Sequence, residues 1–351
     1  MKSKTILVSH NFNPGHYSHL IASKKLFIEL GFEVFSRVHD NFDRNLGFNL
    51  SLEPISFYKC LSLSKKDNYL IWFPSIKAFF EALLLNCFSK VNIIYVYHEP
   101  YVSISYSLNS GYSFSQALII QIKLFVSFFI SRLSSKVIMP SNKAFSSIYK
   151  PSSKFSKINL SYDKRIVEST SINRLYFSYI GTIAEDHAFK DYIEFIVKYY
   201  EVERSSKIKF LIASKNKIPK KYDDLLRAKS LKNNVDIRCG KILSDEEIDS
   251  CFRMSKVTWN AYKKSMQSGV LATSYMNGTP VLISSNNKSE FFSNKYNGIE
   301  ISSCYSFNEI LDAYNFIDNN LEDISLNCIN SFDTFFYYKS HKKNYLQLLN
   351  Q

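Results

Sequence analysis

Short apolar runs rich in β-branched and aromatic residues recur along the chain, separated by longer stretches with helical spacing. In the first half the runs fall at residues 5–9, 34–38, 68–73, 91–97 and 136–139; in the second, at 175–180, 207–213, 235–238, 257–259 and 281–283. Strand-sized runs alternating with helix-sized patterns read as parallel sheets with helical crossovers. The expected fold class is α/β, with two doubly wound domains facing across a cleft. Ligands in such sheets sit beyond the carboxyl ends of the strands.

At 351 residues the chain is too long for one typical core and suits two domains. A polar run at 150–174, with Pro151 and several serines, marks the boundary. It divides the chain into domains at 1–165 and 166–330 and a tail at 331–351. In the tail, Phe332, Phe335, Phe336, Tyr345, Leu346 and Leu349 recur at near-helical spacing, as expected of helices packing back on the first domain.

The most informative succession lies at 267–283. Ser268 and Gly269 start a helix, Gly278, Thr279 and Pro280 stop it, and Val281, Leu282 and Ile283 form a buried strand. A helix that begins on such small side chains leaves its first N–H groups open to a phosphate, where orphan donors and the positive end of the dipole coincide. The same residues would equally serve an ordinary helix-to-strand corner.

Charge changes the picture. The net charge is +13, with 20 Lys/Arg against 9 Asp/Glu in residues 1–165 and 24 against 22 in 166–351. No carboxylate lies between Glu99 and Asp163, where Lys123, Arg132, Lys136, Lys143, Lys150, Lys154 and Lys157 are found. So basic a domain expects an anionic partner. No helix-turn-helix, zinc finger or aromatic RNA-binding signature accompanies the charge, so nucleic acid is not expected and an anionic lipid leaflet is. Within that stretch, residues 117–130 are strongly apolar but interrupted by Gln121 and Lys123, short of the roughly 20 residues a spanning helix needs. The preferred reading is an internal helix of the first domain; the other is a helix lying in a membrane interface. Six scattered cysteines without a C-x-x-C pair argue against zinc or a disulfide framework, and the short apolar run at 6–9 cannot be a signal-peptide core.

Candidate chemistry gathers at strand ends. His98 and Glu99 follow the run at 91–97. A histidine there can take or give a proton near neutrality, with Glu99 orienting it or contacting a sugar hydroxyl, although a loop histidine satisfied by backbone groups is the plainer reading. After the first strand, Gly15 allows close backbone approach and His16 follows it. His10, His16 and His19 lack the spacing of a helical zinc pair, so no metal is expected. Neither G-x-G-x-x-G nor a P-loop is present, and no cofactor is expected. In the second half, Gly181 and Thr182 open a turn, with His187 and Lys190 in reach of a phosphate. Lys241 and Ile242 lie past the strand at 235–238, in a strand-end loop fit to hold a nucleobase by backbone contacts. Lys263 and Lys264 precede the Ser268-Gly269 helix, Thr273 lies within it, and Glu290 follows the last strand.

Taken together, these residues resemble the GT-B glycosyltransferases, specifically the large retaining group called family 4, over nearly the whole chain. His98, Glu99 and Pro100 are similar to that family's strand-end histidine motif, in which the histidine contacts the donor sugar or helps orient the acceptor. The succession from Asn234 through Gly240 to Ser244, Asp245, Glu246 and Glu247 resembles its strand, glycine loop and helix start, and Gly278, Thr279, Pro280 and Val281 match the turn after its diphosphate-binding helix. The family's paired glutamates align with Ser265 and Thr273, and its basic pair with Thr182 and His187, so the paired-glutamate motif is degenerate.

The resemblance implies a glycosyltransferase of two Rossmann-like domains. It would move a sugar, without a metal, from a nucleotide-diphosphate sugar to a lipid-linked or polysaccharide acceptor in bacterial O-antigen, capsule or lipopolysaccharide assembly. Residues 166–330 would bind the donor; residues 1–165 would face acceptor and membrane, with Gly15 and His16 on the acceptor side and His98 and Glu99 catalytic. The expected place is cytoplasmic, peripheral on the inner face of the cell membrane. Two rival readings are a nucleotide-sugar epimerase of the same architecture, enlisting Glu99, Glu185, His187 and Glu290, and a non-catalytic relative that acts as a binding protein.

Overall fold

In the computed structural model, the chain forms two compact units, one of Met1–Lys164 with Phe336–Gln351 and the other of Arg165–Phe335. The structure describes all residues except 1, 45–49, 99–102, 110–112, 147–151, 166–172, 204–206, 264–268 and 351. Glu99, Pro100, Lys264, Ser265 and Ser268 therefore lie outside the described residues.

The first unit is built on β1 (Lys4–Ser9), β2 (Glu33–Val38), β3 (Glu53–Pro54), β4 (Asn68–Ile71), β5 (Asn92–Val96), β6 (Lys136–Met139) and β7 (Phe155–Lys157). They pair in parallel in the order β3-β2-β1-β4-β5-β6-β7. Its helices are α1 (Pro14–Glu29), α2 (Asn41–Arg44), α3 (Phe57–Leu61), α4 (Ile76–Phe88), α5 (Ile104–Asn109), α6 (Phe114–Leu133) and α7 (Asn142–Ser146). Ile6, Val8, Tyr69, Ile71, Tyr95 and Val137 are all buried in one core, as expected of a parallel sheet covered by its crossovers.

The second unit has β8 (Tyr176–Ile180), β9 (Lys209–Ser214), β10 (Val235–Cys239), β11 (Ser255–Asn260), β12 (Val281–Ser284) and β13 (Gly298–Ile301), all parallel, in the order β10-β9-β8-β11-β12-β13. Its helices are α8 (Phe189–Val202), α9 (Lys220–Ala228), α10 (Asp245–Arg253), α11 (Gly269–Met276), α12 (Phe307–Asn319) and α13 (Leu321–Phe335). After α13 the chain returns to the first unit. Tyr162 donates its N–H to Phe336 O (2.8 Å) and Tyr338 donates to Tyr162 O (2.9 Å). The last helix, α14 (Lys342–Asn350), then sets Tyr345 edge-on against Phe27 of α1.

In both sheets the chain starts in the middle, winds to one edge, then returns and winds to the other. The switch points fall between β1 and β4 and between β8 and β11, where adjacent strand-end loops diverge and leave a crevice.

Three strands were not expected from the pattern. The two-residue β3 ends on Pro54, tolerated because the strand is at an edge; β7 lies inside the polar run read as a linker; β13 begins on a glycine and carries Glu300. Conversely Trp72 and Phe73, expected inside a strand, lie just past the end of β4.

The apolar segment also differs from its expectation. A capping box between Ser113 and Gln116 starts α6 earlier, and the helix runs 20 residues, long and apolar enough to cross a membrane. It is internal along one stripe only: Ala117, Leu124, Ser127 and Ile130 are buried, while Ile122 and Phe125 are exposed.

Candidate functional site

In the second unit the switch point is built around a contact that a side chain would obstruct. Gly181 follows β8 with φ +138, and a Cβ there would press on Val270 Cγ2 at 3.2 Å. Val270 is in the first turn of α11 and packs against the buried cluster that includes Ile180, Leu211 and Leu243. The glycine turn and the helix start, read separately in the sequence, are thus neighbours.

The loop after Gly181 folds back on itself. The Thr182 carbonyl accepts from the Tyr179 hydroxyl (2.7 Å) and from His187 Nδ1 (2.9 Å), and the His187 ring stacks on Tyr262 at 4.3 Å. Lys263 joins the same loop by donating its N–H to Asp186 O (2.9 Å).

Asn216 ties three strand ends together. Its Oδ1 accepts from Ile183 N beyond β8 (3.3 Å), its own N–H donates to Ser214 Oγ at the end of β9 (3.1 Å), and its carbonyl accepts from Gly240 N after β10 (3.2 Å). Gly240, at φ +87, lies in the left-handed region that glycine adopts without strain. Just beyond, Lys241 pairs with Glu247 (2.9 Å), Ile242 is partly exposed, and Ser244 and Glu247 close a capping box on α10.

A cavity of about 360 Å³ opens beyond β11 and β12, lined by Asp191, Tyr262, Lys263, Ser284, Asn286 and Tyr305. Inside it, Tyr305 donates to Asp191 Oδ2 at 2.8 Å and Lys263 Nζ lies 3.8 Å from the same atom. Burial first, then the Asp191 hydrogen bond and charge, push the Tyr305 hydroxyl well above the ordinary tyrosine range.

Lys190 is half exposed on α8, 3.5 Å from Glu194, and Glu290 is on an exposed turn between β12 and β13. Thr273 is one turn into α11, where its carbonyl accepts from Asn277.

In the first unit, the strand-end residues form a stack of rings. Phe73 lies between His16 and His98, nearly parallel to both, with centroids 4.7 Å apart on the His98 side. His98 Nε2 is 2.8 Å from the Trp72 carbonyl. A carbonyl only accepts, so Nε2 carries the proton and Nδ1 the lone pair. Burial, then the nearby His19, hold the His98 pKa down to about 3, against the opposing pull of the Trp72 carbonyl. His19 is itself lowered to about 4 by burial, with Ser161 O 3.1 Å from Nδ1. Gly15 is spent locally: its N–H donates to Asn13 Oδ1 (3.2 Å), capping α1, and a Cβ there would make only an ordinary contact.

The first unit also holds a buried polar cluster. Glu81, on the inner face of α4, accepts from Arg37 of β2 and Tyr69 of β4 and lies 2.7 Å from His10 after β1. Burial would raise its carboxyl, but the hydrogen bonds from His10, Arg37 and Tyr69 outweigh that and bring it down to about 2.

Sequence reading did not single out Asn216, Asp191, Tyr262, Tyr305, Phe73 or Glu81. Asn216 had a usable signal, an Asx residue two positions past a strand. The others carry no local signature, because their partners are distant in sequence. Among the described residues, no three of His, Cys, Asp and Glu gather as a metal site would require.

No family model matches the chain, and no curated protein matches it in sequence. Solved structures do match in fold. The chain is similar to HepE (Alr3699) of Anabaena in complex with UDP, at TM-score 0.67 and 13% identity over 99% of each chain. It is similar to a glycosyltransferase of Rickettsia africae ESF-5, at TM-score 0.69 and 9% identity over 100% of this chain and 98% of that one. It also resembles the apo form of the lipopolysaccharide outer core galactosyltransferase WaaB, at TM-score 0.62 and 10% identity over 100% and 99%. Two parallel α/β units, each with its own switch point, and likeness over essentially the full length of these structures show that the chain has the GT-B fold.

Proposed function

We propose that this chain is a glycosyltransferase of the retaining family 4 type, taking a sugar from a nucleotide-diphosphate sugar and passing it to a lipid-linked or polysaccharide acceptor of the bacterial surface. The observation that carries the reading is the seating of the Gly181 turn on the first turn of α11, at the switch point of the second sheet. Helix N–H groups approachable only past a glycine suit a diphosphate. UDP is the first nucleotide to try, because HepE was solved with UDP and with UDP-glucose.

In this reading the acceptor hydroxyl oxygen bonds to the anomeric carbon, the bond from that carbon to the diphosphate oxygen breaks, and the nucleoside diphosphate departs with the electron pair. Backbone amides at the start of α11 and Lys263, rather than a metal, meet the growing negative charge. Ile242 and the loop held by Asn216 and Gly240 would border the nucleobase.

His98 orients. With its conjugate acid near pKa 3 it is a weak base at neutral pH, whereas its Nδ1 lone pair can accept a hydrogen bond from a sugar hydroxyl. The hydroxyl proton passes to the departing diphosphate oxygen, the base that the reaction itself supplies.

Thermal shifts of the full chain with UDP, GDP, CDP, ADP and their common sugars, with and without magnesium, test the donor site. A shift by one nucleotide that needs no magnesium is expected; no shift with any of them would overturn the reading. A second reading, a non-catalytic binding protein, is favoured by Thr273 standing where the resemblance expects a glutamate. It would be carried by nucleotide binding without transfer or hydrolysis.

A further inference from the structure

We propose that the joined outer faces of α4, α5 and α6 are a docking surface for an anionic phospholipid leaflet, on which the first unit lies without being spanned. Helices α4 and α5 both pack against α6. On α4, Ile76, Phe80 and Phe88 are exposed, Phe88 by 71%. On α6, Phe114, Ile119, Ile122 and Phe125 are exposed, Phe125 by 65%, and Ile104 and Leu108 of α5 add to them. Isolated exposed apolar residues are ordinary; one adjoining surface carried by three packed helices is not.

Charge selects the occupant. Among the described residues, the exposed ionised side chains of these helices are Lys77, Lys123 and Arg132, all basic. The one acid, Glu81, is turned inward, where Arg37 and His10 meet it. An apolar face set with cations matches acyl chains bordered by anionic headgroups. A symmetric pairing of two copies through the same face would bring Lys77, Lys123 and Arg132 against their own kind.

Topology excludes spanning. Helix α6 is part of the crossover between β5 and β6, which pair in parallel, so both of its ends are tied to the same sheet. Its buried stripe is committed as well: Ser127 Oγ is 2.5 Å from the Tyr95 hydroxyl in the core. A helix held flat on a sheet can offer its outer apolar face to a membrane but cannot cross one.

The test is flotation of the full chain with vesicles of phosphatidylcholine alone and of phosphatidylcholine with phosphatidylglycerol, at low and high salt, alongside the mass of the lipid-free protein by light scattering. Binding to the anionic vesicles, weakened by salt, is expected to exceed binding to neutral ones by about tenfold or more. Ile122→Asn with Phe125→Asn should abolish flotation. Lys77→Gln with Lys123→Gln should lower the anionic preference by about tenfold or more, each cation being worth roughly fivefold. All four positions are exposed, so circular dichroism should report folded variants; if the first pair unfolds, the second still decides. Three results would overturn the proposal: no flotation, equal binding to both vesicles, or a lipid-free dimer that the Ile122 and Phe125 changes make monomeric. Flotation requires no nucleotide or sugar, so it stands or fails independently of the donor-site reading.

Discussion

His98 donates its Nε2–H to the carbonyl of Trp72 at 2.8 Å, and this bond fixes which face of the imidazole is left for chemistry. With Phe73 stacked on the ring, the orientation is held from the side as well. If His98 orients a hydroxyl through Nδ1, His98→Ala should lower kcat by about 10²-fold, with little change in the nucleotide-induced thermal shift. Because the ring stays neutral far below physiological pH, the rate profile between pH 5 and 8 should show no step belonging to His98. A step in that window that His98→Gln removes would return it to the role of general base.

The same histidines make stability depend on pH. His19 and His98 are lowered from 6.5 to about 4 and about 3, so below pH 6.5 the unfolded chain binds protons that the folded unit refuses. Their contribution is complete above pH 6.5 and is lost as the pH falls toward 4 and 3. Melting temperatures should drop between pH 7.5 and pH 5, and His19→Gln should flatten that slope. An unchanged slope would show that His19 binds its proton equally in the folded and the unfolded chain.

Arg37 and Glu81 are both nearly buried, so removing one leaves the other uncompensated. Glu81→Leu should cost about 3–5 kcal/mol in denaturant unfolding, and pairing it with Arg37→Met should recover much of the loss. In the wild-type protein the Glu81 contribution is present above the ordinary glutamate value of 4.5 and fades as the pH approaches 2. A double variant no better than the single would show that the two charges are not coupled.

Gly181→Val should abolish the nucleotide-induced thermal shift while leaving a folded protein by circular dichroism. Its Cβ meets Val270, and its backbone angle of +138 is one that side chains rarely adopt. A full shift in the variant would place the phosphate elsewhere.

Gly298 presents the same geometry for a purely architectural reason. A Cβ there would run into the carbonyl and side chain of Val281 on the neighbouring strand. Gly298→Ala should cost about 1–3 kcal/mol by denaturant unfolding and leave nucleotide affinity in the remaining folded protein unchanged.

Much of this was legible before folding. The longer strands were readable because a buried parallel strand is a continuous apolar run, and the Ser244–Glu247 helix start because a capping box is local. Edge strands β3 and β7 were not, since two or three residues make no run. Gly181, His187 and Lys263 stood out by residue type at strand ends. Asn216, Phe73 and Glu81 did not, because each matters through partners that the sequence places far away.

The sequence by itself determined the longer strands and helices, their succession and the basic first half, because periodicity, capping and charge are properties of neighbours along the chain. Only the tertiary structure decided the order of the strands. From that order follow the switch points, the seating of Gly181 on Val270, the ring stack at His98 and the outward face of α6. Each of these depends on pairing between residues distant in sequence, and that pairing is chosen by burial across the whole unit rather than by any local preference.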